Sequence, residues 1–285
     1  MKKIYFLLLL CPSLLFAQPI TKKLQNSVEA LVKDFNGDIG IYIQSLKTGK
    51  VVKINADTVF PTASIVKISI FIGVMDKINK GELTFHQEQT YHDSLLYAGV
   101  DILGSFKNGE KIELSKLLML MLSMSDNTAS LWLQKLAGTG TAINEVMERN
   151  GFEHTRVNSR TIGREKNRTQ YGWGQTTAKE MASIFEKMYR GQIINDSVSK
   201  KMIRLLGRNY WDEEALSEIP PTTFVASKNG AVDASRSEIL LVMAKEPYIL
   251  SVFTKNNKDK SWNASNEAWV LTRKLSKTVF EYYNR

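Results

Sequence analysis

The chain has 285 residues, of which 43% are hydrophobic and 24% are charged, a composition typical of a folded globular protein and not of a disordered, collagenous or coiled-coil one. Its formal net charge of +9 comes from scattered basic residues, without the basic stripe or the binding motif that characterises nucleic-acid-binding proteins. We therefore expect no nucleic-acid partner, and we expect a monomer.

The first residues have the layout of an export signal. Two lysines precede an apolar run that ends at Ala17, and this run is too short to span a bilayer. We expect a signal peptide over residues 1–17, a periplasmic or secreted mature protein, and no stable membrane insertion. A lipoprotein acylated at Cys11 is the alternative, although the leucines before Cys11 are not the small residues expected there. Without this segment the chain contains no cysteine, which suits an oxidising compartment.

Hydrophobic periodicity divides the rest of the chain into three parts. The first part reads as a helix followed by a hairpin, the second as a series of helices, and the third as three strands and a final helix. In chain order, the predicted elements after the first helix are strands at 38–45 and 51–54, helices at 65–78, 114–124, 128–136, 142–150, 177–189 and 197–206, strands at 222–228, 238–244 and 248–254, and a helix at 264–283.

Strands at both ends with helices between them predict an α+β fold. We expect an antiparallel sheet built from the N- and C-terminal segments and flanked by helices, plus an all-helical subdomain. The mature chain, 18–285, is expected to form a single catalytic domain, with the sheet part at about 18–60 and 208–285 and the helical part at about 61–207. A cleft between the two parts is the expected site.

Ser64 and Lys67 stand at the opening of the first helix of the middle part, in the segment FPTASIVK. A serine there has its hydroxyl beside free backbone N–H groups and the positive end of the helix dipole, and a lysine three residues on lies over the same face. This geometry lets the amine take the serine proton, as a nucleophilic serine requires. Alone, the pair is more typical of a capping serine followed by an ordinary lysine.

Two further motifs follow, Ser125-Asp126-Asn127 between two helices and Lys228-Asn229-Gly230 at the end of a predicted strand. Each alone has an ordinary structural interpretation, because Ser, Asp and Asn are common helix caps and the second motif is typical of a turn. The functional interpretation depends on the three motifs occurring together, in this order and in these contexts.

Together the motifs resemble the SxxK, SDN and KTG signatures of class A β-lactamases and related penicillin-recognising serine hydrolases. The resemblance covers nearly the whole mature chain and rests on residues 60–67, 123–129 (SMSDNTA) and 228–236 (KNGAVDASR). It implies an acyl-enzyme mechanism without a cofactor. By the same resemblance, Ser64 is acylated, Lys67 activates it, Ser125 relays a proton to the leaving nitrogen, Asn127 holds the substrate amide, and Lys228 attracts the substrate carboxylate.

Further substrate-binding residues are implied by the resemblance: Asn229, Gly230, Ala231 and Arg236. Arg236 would assist Lys228 by a bidentate contact with the carboxylate. The backbone N–H groups of Ser64 and Ala231 would form the oxyanion hole. Tyr97 would form a wall of the cleft, with plain packing as the alternative.

The chain departs from the class A pattern at two places. The family's loop glutamate, which activates the deacylating water, would fall near residues 160–163, where this chain has no carboxylate. The nearest is Glu165, which either reaches the water from a shifted loop and is catalytic, or is a surface residue paired with Arg164 or Lys166. Asn229 replaces the usual Thr or Ser, so we expect reduced affinity for penicillins.

Three hypotheses follow. The leading one is a class A-like β-lactamase acting on β-lactams. The second is a D-alanyl-peptide peptidase or an esterase that releases β-lactams slowly, and the third is a non-hydrolytic envelope-binding or β-lactam-sensing module. In the first two hypotheses the partner is a small-molecule β-lactam or an acyl-peptide substrate. The three histidines form no metal-binding pattern, so we expect no metal site.

Overall fold

A computed structural model describes residues 21–97, 99 and 102–285 of the chain. The predicted signal peptide and Cys11 lie outside these residues. Throughout the described ranges, every helix is too short or too polar to cross a membrane.

The main sheet joins both ends of the chain. Its strands are β1 (Asp38–Ser45), β2 (Val51–Ile54), β8 (Val225–Val232), β9 (Ser235–Val242) and β10 (Tyr248–Lys255). They pair antiparallel in the order β2-β1-β10-β9-β8, so β8 is an edge strand. The N-terminal hairpin thus pairs with the C-terminal strands, as predicted.

Helices α1 (Lys22–Val32) and α9 (Glu267–Tyr283) cover the outer face of this sheet. Val28 of α1 and Leu275 of α9 belong to one hydrophobic cluster with Ile41 and Leu250 of the sheet. Asn266 caps α9 by accepting hydrogen bonds from the first backbone N–H groups of the helix.

The inner face of the sheet packs against the helical layer. Its helices are α2 (Val66–Asn79), α3 (Leu114–Ser123), α4 (Asn127–Leu136), α5 (Thr139–Arg149), α6 (Glu165–Tyr171), α7 (Ala178–Tyr189) and α8 (Asp196–Leu206). Every residue of α2 from Val66 to Asp76 is buried, as expected for a helix whose apolar residues are spread around most of its circumference. The start of α2, which carries Lys67 and follows directly after Ser64, therefore lies in the interior between the layers. The predicted α+β fold is confirmed.

Two small sheets, which were not predicted, lie in the predicted helical part and at its N-terminal boundary. One joins β3 (Val59–Pro61), β7 (Gly174–Thr177) and β6 (Arg156–Val157), and the other pairs β4 (Glu88–Thr90) with β5 (Lys111–Glu113). Their strands are two to four residues long, too short to show a period in the sequence.

The prediction for the third motif was wrong in one respect. Lys228-Asn229-Gly230 lies in the middle of β8, which continues to Val232, and the turn is made by the two residues Asp233 and Ala234. The motif is polar because it lies on an edge strand beside a cavity. It therefore lacks the alternation of apolar and polar residues by which a strand is recognised in a sequence.

Candidate active site

Ser64 lies in a single 3₁₀ turn, Ala63–Ile65, that leads directly into α2. Strand β8 passes this turn so closely that a Cβ atom on Gly230 would lie 2.5 Å from Thr62 O and 2.9 Å from Ser64 N. Only glycine fits at this approach. The close approach of β8 brings the next residue, Ala231, beside Ser64, and both residues line the same two cavities.

Lys67 joins the first two motifs. Its Nζ lies 3.0 Å from Ser64 Oγ, 3.0 Å from Ser125 Oγ, 2.5 Å from Ser125 O and 2.9 Å from Asn127 Oδ1. The carbonyl and amide oxygens only accept, so they take two N–H groups of the amine. The single lone pair of a neutral amine is then left to accept a hydrogen bond from one serine hydroxyl at a time.

Burial sets the charge of this lysine. Lys67 is fully buried, and this desolvation lowers its pKa well below the usual value of 10.5, with a further lowering by the nearby Lys228. Burial likewise lowers the pKa of Lys228 to about 7. Lys67 can therefore accept a proton from Ser64, which a charged ammonium cannot do.

A strained turn presents Ser125 to Lys67. The φ angle of Ser125 is +60°, in the left-handed region that non-glycine residues rarely adopt. The buried Asp126 fixes this turn, because its Oδ1 accepts from Ala129 N at 2.7 Å and its Oδ2 from Leu103 N at 3.2 Å. One carboxylate thus holds the second motif to both the following helix and the preceding loop.

Two cavities meet at Ser64. The edge cavity, of about 400 Å³, runs from Ser64 and Ser125 along strand β8. The loop cavity, of about 580 Å³, lies between Tyr97, Trp173 and Val232. Ser125 lines the edge cavity and Tyr97 lines the loop cavity. The two groups joined by a bond that Ser64 attacks would therefore contact different side chains.

Most of the implied binding residues line one or both of these cavities. Asn127 and Ala231 line both cavities, and Asn229 and Gly230 line the edge cavity. Tyr97 forms a wall of the loop cavity, where its ring meets Trp173 edge to face at 5.1 Å between centroids.

The two predicted carboxylate-binding cations do not line either cavity, as far as the described residues define them. Lys228 is fully buried, and its Nζ donates to Asn229 O at 3.0 Å and to Asn229 Oδ1 at 3.1 Å. The guanidinium of Arg236 donates to three backbone carbonyls, including Ser261 O at 3.0 Å. It also stacks on Trp262 and Trp269, 4.2 Å and 4.7 Å from their ring centroids.

Glu165 is the exposed first residue of α6. Its carboxylate accepts a hydrogen bond from Gly163 N at 3.2 Å, and within the described ranges it lines neither cavity. Arg164 does not pair with it but donates to Asn158 at 2.7 Å and to Gln175 at 2.8 Å. This geometry favours the surface alternative for Glu165.

The sequence interpretation missed the far end of the edge cavity, which is lined by Trp211, Glu213, Glu214, Glu238, Trp262 and Trp269. Trp211 Nε1 donates to Met124 O at 3.0 Å, which ties this end to the second motif. Glu238 lies directly across from Asn229 in the hairpin register. A prediction of a two-residue turn at Asp233 and Ala234 would have placed Glu238 opposite Asn229 in an antiparallel hairpin. The described part of the chain holds no cluster of His, Cys, Asp and Glu able to bind a metal ion.

Comparison with known proteins gives a consistent result. The profile of the Beta-lactamase enzyme family matches residues 22–283. Beta-lactamase VEB-1 of Pseudomonas aeruginosa is 25% identical over 95% of this chain and 94% of its own length. Beta-lactamase BRO-1 of Moraxella catarrhalis is 22% identical over 91% of this chain and 85% of its own.

Solved structures share the fold at lower identity. The structure of PBP-A superposes with a TM-score of 0.82 at 19% identity, covering 93% of this chain and 97% of that one. The TLA-1 extended spectrum Beta-lactamase superposes with a TM-score of 0.83 at 17% identity, covering 93% and 99%.

Proposed function

Because this chain belongs to the Beta-lactamase enzyme family, we propose that it is a class A-like serine hydrolase that opens β-lactam rings through an acyl-Ser64 intermediate. One observation carries the proposal: Lys67 Nζ lies 3.0 Å from both Ser64 Oγ and Ser125 Oγ. A single buried amine thus contacts the nucleophile and the group that protonates the leaving atom.

Acylation follows from these contacts. Neutral Lys67 takes the proton of Ser64 while Oγ forms a bond to the carbonyl carbon, and the resulting oxyanion is bound by the N–H groups of Ser64 and Ala231. The C–N bond then breaks as Ser125 gives its proton to the ring nitrogen. Ser125 regains a proton from Lys67, which returns to the neutral form.

Deacylation requires water to add to the ester carbonyl, the C–Oγ bond to break and Ser64 to regain a proton. The position of Glu165 outside both cavities supports a second candidate, a peptidase or esterase of D-alanyl peptides or small esters that releases β-lactams slowly. A point mutant of PBP-A, which shares the fold, was solved as an acyl-enzyme complex with penicillin G.

The test compares two lysine substitutions on the same helix. Lys67→Arg places a guanidinium that cannot deprotonate at the centre of the site, so we expect nitrocefin hydrolysis to fall about 10²–10⁴-fold. Lys77→Arg, at a partly exposed lysine paired with Glu82, is the matched control and keeps its rate. Hydrolysis that persists in Ser64→Ala at the wild-type rate contradicts the proposal.

Mass spectrometry separates the two candidates. A class A-like enzyme shows a short-lived adduct at Ser64 with penicillin and continued turnover. A slow-releasing peptidase or esterase keeps a stable adduct and hydrolyses a D-alanyl peptide or an ester faster than nitrocefin. No adduct at Ser64 with any of these substrates would contradict both.

A further inference from the structure

The loop cavity receives the acyl side of the substrate in the proposed mechanism. Ser125, which protonates the leaving nitrogen, lines the edge cavity, and Ser64, which bonds to the carbonyl carbon, lines both cavities. The substituent on the other side of that carbon is therefore expected to extend into the loop cavity. With a volume of about 580 Å³, this cavity has room for a side chain of several atoms.

The charged side chain that lines the loop cavity, among the residues the structure describes, is a cation. Lys255 ends strand β10 and is half-buried at the cavity wall. Its Nζ donates to Val59 O at 2.9 Å and lies 5.0 Å from the centroid of the Phe60 ring. An ammonium has three N–H groups, so this hydrogen bond holds the group in place and leaves two donors for a ligand.

The carboxylates on the adjoining strand and turn are bound to other groups. Asp38 lies opposite Lys255 in the register of β1 and β10, but its Oδ2 accepts from Asn256 Nδ2 at 2.7 Å. Asp233, in the turn between β8 and β9, accepts from Trp262 Nε1 at 2.9 Å. Across the described ranges Lys255 forms no ion pair. A carboxylate on the ligand would supply the opposite charge.

Ser235 is a second, independent sign of a polar ligand. It begins strand β9, lines the loop cavity and is 2% exposed, and its Oγ has no hydrogen-bond partner in the described part of the chain. Asn257 N donates to Ala234 O at 3.1 Å, which holds the start of β9 beside the end of β10 and thus beside Lys255. A buried hydroxyl without a partner is unfavourable, and a carboxylate oxygen would accept its O–H.

Much of the remaining cavity wall is aromatic or apolar. Tyr171 and Trp173, at and after the end of α6, line the cavity together with Tyr97 and Val232. Such surface stabilises methylene groups by removing them from water. The loop cavity thus combines apolar walls with an ammonium and a hydroxyl, which matches a side chain that has an apolar stem and an anionic end.

We propose that the loop cavity is a subsite for a carboxylate at the end of the substrate's acyl side chain, bound by the Lys255 ammonium and the Ser235 hydroxyl. This rests on the proposed function, since acylation of Ser64 defines the acyl side. The subsite specifies the substrate class that the enzyme prefers: β-lactams or acyl peptides whose acyl side chain carries a terminal negative charge.

The experiment uses three penicillins that differ only in the acyl side chain. 6-Aminopenicillanic acid is acylated with adipic acid, with the neutral monoamide of adipic acid, or with 6-aminohexanoic acid, so the ring and the leaving group stay the same. Acylation is measured as kcat/KM for ring opening, or as the rate of adduct formation at Ser64 where release is slow. We expect the adipoyl penicillin to react about tenfold faster than the monoamide, the scale of one charge-assisted hydrogen bond, and the aminohexanoyl penicillin to be the slowest.

Substitutions test the two polar groups separately. Lys255→Met removes the charge at similar length and should abolish the preference for the adipoyl penicillin over the monoamide, whereas Lys255→Arg should keep it. Ser235→Ala removes a hydroxyl that has no partner among the described residues, so the fold should tolerate it, and the preference should fall about threefold. Lys53→Met, at an exposed lysine of β2 in the same sheet, is the matched control and leaves the preference unchanged. Each result is a ratio of two substrates in one protein, so a lower fraction of folded protein does not alter it.

Binding to the Ser64→Ala variant separates this inference from the proposed function. Equal acylation rates for the adipoyl penicillin and the monoamide, or a preference that persists in Lys255→Met, overturn the subsite and leave the hydrolase intact. Absence of both ring opening and adduct with all three penicillins overturns the proposed function. Calorimetry on Ser64→Ala then decides the subsite by itself: tighter binding of the adipoyl penicillin that is lost when Lys255→Met is added supports it, and equal affinities overturn it.

Discussion

At the scale of single residues, burial decides what a side chain can do. Lys67 and Lys77 lie on the same helix, but Lys67 is fully buried among three polar side chains whereas Lys77 is partly exposed and pairs with Glu82. Desolvation lowers the pKa of Lys67, which suits the role of base that the proposed mechanism gives it.

The sequence predicts a contact between functional residues when the two residues are close together in the chain. Ser64 and Lys67 are three residues apart on a helix, so their contact follows from helical geometry alone. Glu238 was not predicted as a site residue, because its position opposite Asn229 depends on the register of a hairpin. Nor did the sequence show that the Arg236 guanidinium lies over the rings of both Trp262 and Trp269.

Glu238 predicts a pH dependence of stability. Its folded-state pKa of about 8 lies above the ordinary value of 4.5, so the folded protein retains a proton that the unfolded chain loses. This contribution to stability is fully present below about pH 4.5 and is lost as the pH rises through 8. Relative to Glu238→Gln, the wild type is expected to lose about 2 kcal/mol of unfolding free energy between pH 5 and pH 7.

Urea unfolding at pH 5, 6 and 7 measures this difference. Lys228 also faces Glu238, and its pKa is lowered to about 7, so it is half titrated at the upper end of this range, but it is retained in both proteins. Glu214, the other charged neighbour, is retained in both proteins. Glu281→Gln, with an exposed carboxylate, should show no such trend, and a constant difference between wild type and Glu238→Gln would refute the assignment.

At the scale of elements, the edge strand β8 organises the site. It carries Lys228, forms the wall of both cavities and passes directly beside the turn of Ser64. The sequence predicts this strand but ends it at 228, because Lys-Asn-Gly is typical of a turn. Contact with Thr62, far away in the sequence, determines the need for glycine at 230, and no local pattern reveals this contact.

Gly230→Ala tests the close approach. A Cβ atom there would lie 2.5 Å from Thr62 O and 2.9 Å from Ser64 N, both backbone atoms that cannot rotate away. We expect a loss of about 1–3 kcal/mol in unfolding free energy. Displacing Ala231 from Ser64 should also slow acylation by about 10²-fold, measured as the rate of adduct formation by mass spectrometry. Wild-type acylation in this variant would show that β8 does not position the oxyanion hole.

At the scale of the whole molecule, two layers meet along the cleft. The sequence predicts both layers because long periodic segments bury continuous faces, such as Ile41 and Leu250 against Leu275 of α9. It does not predict the three-stranded sheet β3-β7-β6, in which Val59 pairs with Thr177 across more than a hundred residues. This small sheet supports the segment that carries Glu165, so the position of that carboxylate depends on tertiary structure.

The proposed mechanism places the groups for acylation and for release in different surroundings. Ser64, Lys67 and Ser125, which acylation would use, lie together at the cleft between the layers, whereas Glu165 is on the exposed surface and accepts a hydrogen bond from Gly163 N. We therefore expect nitrocefin to give a burst of about one equivalent followed by a slower steady state, as in enzymes limited by hydrolysis of an acyl intermediate. Glu165→Gln should leave the slow rate within about twofold, since losing a general base would cost about 10²–10⁴-fold. Stopped-flow absorbance measures both phases, with Ser64→Ala, which has no burst, as the control. A collapse of the slow phase in Glu165→Gln would show instead that the loop moves to bring this carboxylate to the acyl group.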